Sequence, residues 1–239
     1  MTHSIKFLIE LRERLLKTFM AFGILFGVFF FFSEPLFYVY MRPLQHLLPQ
    51  NTHLIASQIA TPLITPLCMA INLALLCTMP YGLFQLWRFA SPALYLSEQQ
   101  RLSFVLCISM GLFLLGGLFC YFVILPFMFQ CIIHALPKGV LFLPDISSAA
   151  SFITWMMVIF GLSFQIPLIC TVLIHVDLVD LSQLIAARPY VIVAAFILGM
   201  IFTPPDVLSQ IVLALPLWGL YESGICISRL LIKPSSEVS

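Results

Sequence analysis

The amino-acid sequence predicts an all-α, polytopic membrane protein of six transmembrane helices with both termini in the cytoplasm. Three observations carry that expectation. Of 239 residues, 62% are hydrophobic and only 9% charged, and mean hydropathy is +1.09. A water-soluble domain of this length needs more charge on its surface, so the remaining solvent for the apolar side chains is lipid. The apolar residues fall into runs long enough to span a bilayer. Lysine and arginine gather on alternate loops.

A spanning helix needs about 20 mainly apolar residues to cross roughly 30 Å of hydrocarbon. Residues 1–17 form a polar, amphipathic cytoplasmic segment, followed by a first span over 18–40 with Glu34 near its far end. The apolar run is too long for a cleaved leader and no small-x-small site follows it, so the segment reads as retained. Pro43, Pro49, Asn51, Thr52, Pro62 and Pro66 punctuate a loop, and the second span is placed at 67–87. The third covers 102–135 with an interruption at Pro126, and the fourth covers 149–175 after a loop carrying Pro137, Gly139 and Pro144.

The last two spans read as short. Between Arg188 and the turn Thr203-Pro204-Pro205-Asp206 lies a fifth span at 189–202, which at 1.5 Å per residue is roughly 21 Å long. The sixth is placed at 207–228, with Glu222 near its exit, and residues 231–239 form a short cytoplasmic tail. Two short neighbours joined by a tight turn should thin the bilayer locally. The whole of 18–230 is thus one six-helix domain.

Orientation follows from basic residues on alternate sides. One side holds Lys6, Arg12, Arg14, Lys17, Arg88, Arg101, Arg188, Arg229 and Lys233, and the other holds only Arg42 and Lys138. That asymmetry places both termini inside. The net charge of +1 offers no field for nucleic acid. Seven cysteines without a Cys-x-x-Cys pair read as small hydrophobes, not as a disulfide framework or zinc site. Neither a His-Glu-x-x-His nor a Gly-x-Ser-x-Gly motif occurs, so no enzyme, metal or cofactor is expected. A six-span secondary transporter is the alternative, but mid-membrane polar residues are few: Asn72, Gln165 and Gln130. Gly23 and Gly27 form a small-xxx-small pair suited to helix packing.

Several motifs then carry a resemblance. Leu8-Ile9-Glu10-Leu11-Arg12-Glu13-Arg14-Leu15 resembles the N-terminal segment of the TatC family, the signal-peptide receptors of the twin-arginine protein translocase. Gln85-Leu86-Trp87-Arg88-Phe89, with Pro92-Ala93-Leu94-Tyr95 and Glu98, resembles the family's first cytoplasmic loop. Phe160-Gly161-Leu162-Ser163-Phe164-Gln165-Ile166-Pro167 resembles its fourth helix. Arg188-Pro189-Tyr190, the stretch Thr203 to Gln210, and Tyr221-Glu222 resemble its fifth and sixth helices. The likeness runs in register from about residue 5 to residue 230. It implies a concave, glove-like receptor in a bacterial inner membrane. Such a receptor binds signal peptides with consecutive arginines and works with single-span TatA- and TatB-type partners in an oligomeric complex. The complex exports folded proteins on the proton-motive force.

The resemblance assigns signal-peptide binding to Glu10, Phe89 and Glu98. The chemistry agrees, since guanidinium groups offer planar donor forks that suit carboxylates. Each residue also has a local role open to it. Glu10 lies i,i+4 from Arg14, Glu98 follows Ser97 at a helix start, and Phe89 sits beside Trp87 as an interfacial aromatic. Gln165 stands where the family often has glutamate. It is expected to act through polarity and water without a titratable proton, or to bond a neighbouring helix. Pro43, Asp206, Gln210 and Glu222 are expected to be structural or to contact partners. Glu222 needs a cation near the membrane edge, and Arg229 is one candidate. Ile185-Ala186-Ala187 stands where relatives carry basic residues, so the second cytoplasmic loop is not expected to bind by charge.

Overall fold

The computed structural model describes residues 2–45, 61–94, 99–134, 144–202 and 207–231. Its helices are α1 (Thr2–Phe31), α2 (Ser33–Gln45), α3 (Thr61–Leu94), α4 (Gln99–Phe119), a π-helical turn (Cys120–Ile124), α5 (Leu125–His134), α6 (Ile146–Ser163), α7 (Ile166–His175), α8 (Leu181–Ala186), α9 (Arg188–Phe202) and α10 (Val207–Leu231). Among the described residues, five helical stretches are long and apolar enough to cross a membrane, and α9 is a shorter apolar sixth.

Prolines explain where the helices bend. The missing N–H of Pro35 removes the donor to the Phe31 carbonyl, and α1 gives way to α2 at Phe32. No such residue separates the polar N-terminal segment from the apolar run. A single helix of 30 residues, α1, therefore carries both, where the sequence placed a boundary at residue 18. Pro126 cannot donate to Phe122, and the turn before it widens so that the Leu125 N–H reaches the Cys120 carbonyl. Pro167 likewise frees the Ser163 carbonyl, and the fourth span divides into α6 and α7 around Phe164-Gln165.

Pro43 corrects the expectation of a loop there. It lies buried inside α2. Its ring leaves the Val39 carbonyl without an intrahelical donor, and the Tyr121 hydroxyl donates to that oxygen at 2.6 Å. A buried Tyr40 hydroxyl bonds Thr154 of α6, and Thr154 donates to the Ala150 carbonyl at 2.9 Å. Two tyrosines thus fasten α2 against the bundle. Met41, Leu44, Met69, Leu125, Met128 and Ile153 fill the apolar core around it.

Helix α7 closes in a Schellman turn. Leu178 N–H reaches the Leu173 carbonyl at 3.1 Å and Asp177 N–H the Ile174 carbonyl at 3.0 Å, with Asp177 left-handed at φ 55°. Asp180 and Gln183 then form a capping box for α8, a helix the sequence reading missed although Asp180-x-x-Gln183 signals it.

Close crossings hold the middle of the bundle. A Cβ on Gly116 would lie 2.7 Å from the Phe160 carbonyl oxygen, and one on Gly161 would lie 2.6 Å from the Phe113 ring. One on Gly224 would lie 3.0 Å from the Pro167 backbone. Without a hydrophobic drive between helices in lipid, such approach is what supplies their van der Waals contact. The pair Gly23 and Gly27 does not serve this purpose: nothing lies within 4 Å of either added Cβ. Both face away from the described part of the chain.

Candidate functional site

The helices alternate in direction, so one end of the bundle gathers the start of α1, the end of α3, the end of α7, α8, the start of α9 and the end of α10. Among the described residues Arg12, Arg14, Lys17, Arg88, Arg188 and Arg229 lie on these segments.

At this end α1 packs antiparallel on α3. The spacing Glu10-x-x-x-Arg14 puts both side chains on one face of α1, and the Arg14 guanidinium donates to the Glu10 carboxylate. A second nitrogen of Arg14 donates to the Gln85 carbonyl of α3 at 3.2 Å. The guanidinium carbon also lies 5.9 Å from the centroid of the Phe89 ring, within reach of its π face. Buried Gln85 is held in turn, donating to the Tyr81 hydroxyl at 2.7 Å. Arg14 is mostly covered, its side chain 16% exposed, while Glu10 is 44% exposed. Two of the expected residues, Glu10 and Phe89, are therefore brought together, and Arg14 is what joins them. Trp87 is buried in a separate cluster with Val105, Leu168 and Val172. Glu98 and Asp206 lie outside the described residues.

Gln165 is 2% exposed. Ser109 Oγ donates to Gln165 Oε1 at 2.8 Å, and Gln165 Nε2 donates to the Ser109 carbonyl at 2.8 Å. The break before Pro167 is what carries this side chain to α4. The arrangement is a closed amide–serine pair between helices, the second of the two roles open to Gln165 in the sequence.

Glu222 does have a cation, but it is Arg188, not Arg229. Arg188 Nε donates to Glu222 Oε2 at 3.1 Å, and Nη2 donates to Oε1. The bidentate pair joins the start of α9 to α10. Beneath it, the Tyr221 hydroxyl donates to the Leu184 carbonyl of α8 at 2.7 Å. Toward the other end, Gln210 Nε2 donates to the Phe196 carbonyl at 3.1 Å, and an added Cβ on Gly199 would lie 3.0 Å from Gln210 Cγ. The pair marks a level from which α9 has 15 residues to its far end, about 22 Å. Helix α10 runs to Leu231, 25 residues, where the sequence placed the end of the sixth span at residue 228.

Sequence reasoning left Arg14 as a mere helix partner and missed Ser109, Tyr121 and Arg188. The freed carbonyl four residues before Pro43 could have pointed to a donor such as Tyr121. Nothing local pointed to Ser109.

The family model described as Sec-independent protein translocase protein (TatC) matches residues 6–216. Among curated relatives, the Sec-independent protein translocase protein TatC of Escherichia coli K12 is 37% identical over 222 residues, covering 93% of this chain and 86% of that protein. The namesake of Azotobacter chroococcum mcd 1 is 37% identical over 218 residues, covering 91% and 86%. A crystal structure of the twin-arginine translocase receptor TatC superposes with a TM-score of 0.84 at 32% identity, covering 95% of this chain and all of that one.

Proposed function

The chain belongs to the TatC family of Sec-independent protein translocase proteins, and from that premise we propose that it is the signal-peptide receptor and core subunit of a twin-arginine translocase. It is a multi-pass protein of the bacterial inner membrane and not an enzyme. The relatives and solved structures lend no support to a small-solute transporter. Working with TatA- and TatB-type single-span proteins, it exports folded cargo on the proton-motive force. Both termini face the cytoplasm, a reading supported by the basic residues gathered at one end of the bundle.

The single observation that carries the site is a guanidinium already seated on it. Arg14 rests on the Glu10 carboxylate and the Phe89 ring, so this corner of the protein has the chemistry an arginine side chain requires. Glu98, by family resemblance, supplies a second carboxylate. Each half-solvated charge pair contributes about 1 kcal/mol or less, and an exposed cation–π contact about 0.5–1 kcal/mol. Two arginines then give only a tenfold to hundredfold preference, roughly. The remaining affinity comes from the apolar segment of the signal peptide lying along the helices.

The short α9 gives the partners a physical reason to gather. Its 15 residues reach about 22 Å, below the roughly 30 Å of hydrocarbon, so lipid thins beside it. The Arg188–Glu222 pair and Gln210 hold the α9–α10 hairpin rigid.

The decisive experiment measures binding of a twin-arginine signal peptide and its twin-lysine counterpart to the detergent-purified protein. Lysine keeps the charge and loses the fork. A preference for arginine that disappears in Glu98→Ala and weakens in Glu10→Ala is the expected result. Equal binding of both peptides would overturn the reading.

A further inference from the structure

We infer that Arg14 is the resident occupant of the arginine site, and that a signal-peptide arginine binds by displacing it from Glu10. This inference rests on the assignment of Glu10 and Phe89 to peptide binding. Three contacts hold the Arg14 guanidinium: a carboxylate, a backbone carbonyl and an aromatic face. They are the contacts an arriving arginine would seek. A bidentate fork onto Glu10 needs both carboxylate oxygens, and Arg14 already takes one of them. A ligand arginine that docks in that way and stacks on the same Phe89 face takes the place of Arg14 or binds elsewhere.

The geometry permits exchange. Glu10 is the more exposed partner, 44% against 16%, so its carboxylate is approachable from solvent while Arg14 remains against α3. The Gln85 carbonyl comes from α3 and does not depend on Glu10. Arg14 can therefore give up the carboxylate and keep a hydrogen-bond acceptor, which limits the loss on displacement. Its own helix backbone keeps it near, as Thr18 Oγ1 donates to the Arg14 carbonyl at 3.0 Å.

A tethered competitor has a consequence for specificity. One ligand arginine that replaces Arg14 on Glu10 exchanges like for like and gains almost nothing. A second arginine, which binds away from Glu10 and outside the competition with Arg14, makes the exchange favourable. A lysine cannot match the fork or the planar overlap that Arg14 already makes. Arg14 thus sets the threshold that separates paired arginines from single ones and from lysines.

The test uses the full chain in detergent and synthetic signal peptides. Arg14→Gln is expected to tighten twin-arginine binding about twofold, the worth of an i,i+4 ion pair, and to strengthen single-arginine peptides by the same factor. In a Glu10→Gln background the same substitution should give no gain. A gain that persists there would reflect only the lost positive charge, and would overturn the inference. Because Arg14 also ties α1 to α3, its loss could disturb the fold. Nitrogen-15 arginine side-chain spectra of the unaltered protein supply a second readout. At saturating twin-arginine peptide the Arg14 Nη signals should shift as the carboxylate bond is lost and the Gln85 bond is kept, and unmoved signals would overturn displacement. Wild-type protein that failed to prefer arginine over lysine would instead sink the assignment of the site itself. Intact preference with unmoved Arg14 would sink only the resident-arginine proposal.

Discussion

Two polar constellations in this molecule use the same elementary parts and lead to opposite behaviour. At Gln165 and Ser109, donors and acceptors of two helices close on each other inside the bundle, with Gln165 2% exposed. At Glu10 and Arg14, a charged pair lies at the end of the bundle with its carboxylate 44% exposed. The closed pair has nowhere else to bond, since lipid and packed side chains surround it. The open pair can exchange its partner for water or for another guanidinium. Closure stabilises an architecture, and openness leaves a carboxylate approachable from solvent.

The comparison breaks first at its closed half. Gly161→Leu should have the largest effect, because even a Cβ there meets the Phe113 ring at 2.6 Å. Overpacking against that buried ring costs about 3 kcal/mol, the top of the usual range, so the expected outcome is loss of folded protein on size-exclusion chromatography. Gln165→Leu comes next. It leaves the Ser109 groups without their partner, and unpaired buried polar groups cost about 1–3 kcal/mol. Thermal melting in detergent should show a clear drop, with export falling in step with folded protein. A Gln165→Leu protein with unchanged melting and no export would show instead that the position acts directly in transport.

A smaller effect sharpens what closure means. Tyr121→Phe removes the donor to the Val39 carbonyl, and the lowered melting temperature should correspond to about 1 kcal/mol. Pro43→Ala restores a backbone N–H at the position from which α2 normally bonds Val39. In the double variant the intrahelical bond replaces the lost hydroxyl, and part of the stability should return. Additive losses in the double variant would mean that Tyr121 and Pro43 are energetically unrelated.

The six spans, the break near Pro126 and the shortness of the fifth helix were legible because hydropathy and proline act along the chain. Lateral contacts were not. Glu222 needed a cation, and Arg229 is the nearer residue in sequence. Arg188, 34 positions away, pairs with it because the α9–α10 hairpin brings their ends level. The glycines show the same limit. Gly23 and Gly27 form a recognisable pair yet meet nothing within 4 Å, whereas Gly116 and Gly161 stand alone on separate helices and make the closest crossing. At the candidate site, Glu10 and Phe89 were legible through family resemblance. The role of Arg14 emerged only when α1 was seen lying on α3.

The two Arg–Glu pairs at one end of the bundle offer the finest test. Glu222 receives two bonds from Arg188 across two helices, while Glu10 pairs with Arg14 within a single helix turn. Neutralising Glu222 with glutamine should lower stability by about 1 kcal/mol, because a bidentate, partly shielded pair is lost. The same change at Glu10 should cost about 0.5 kcal/mol or less, as expected for an exposed i,i+4 pair. Peptide binding should rank in the reverse order, with Glu10→Gln reducing the preference for arginine over lysine and Glu222→Gln leaving it intact. Parallel losses of stability and binding in both variants would mean that the two pairs are equivalent struts. Divergence would mean that the pair contributing least to the fold is the one left free to recognise a ligand.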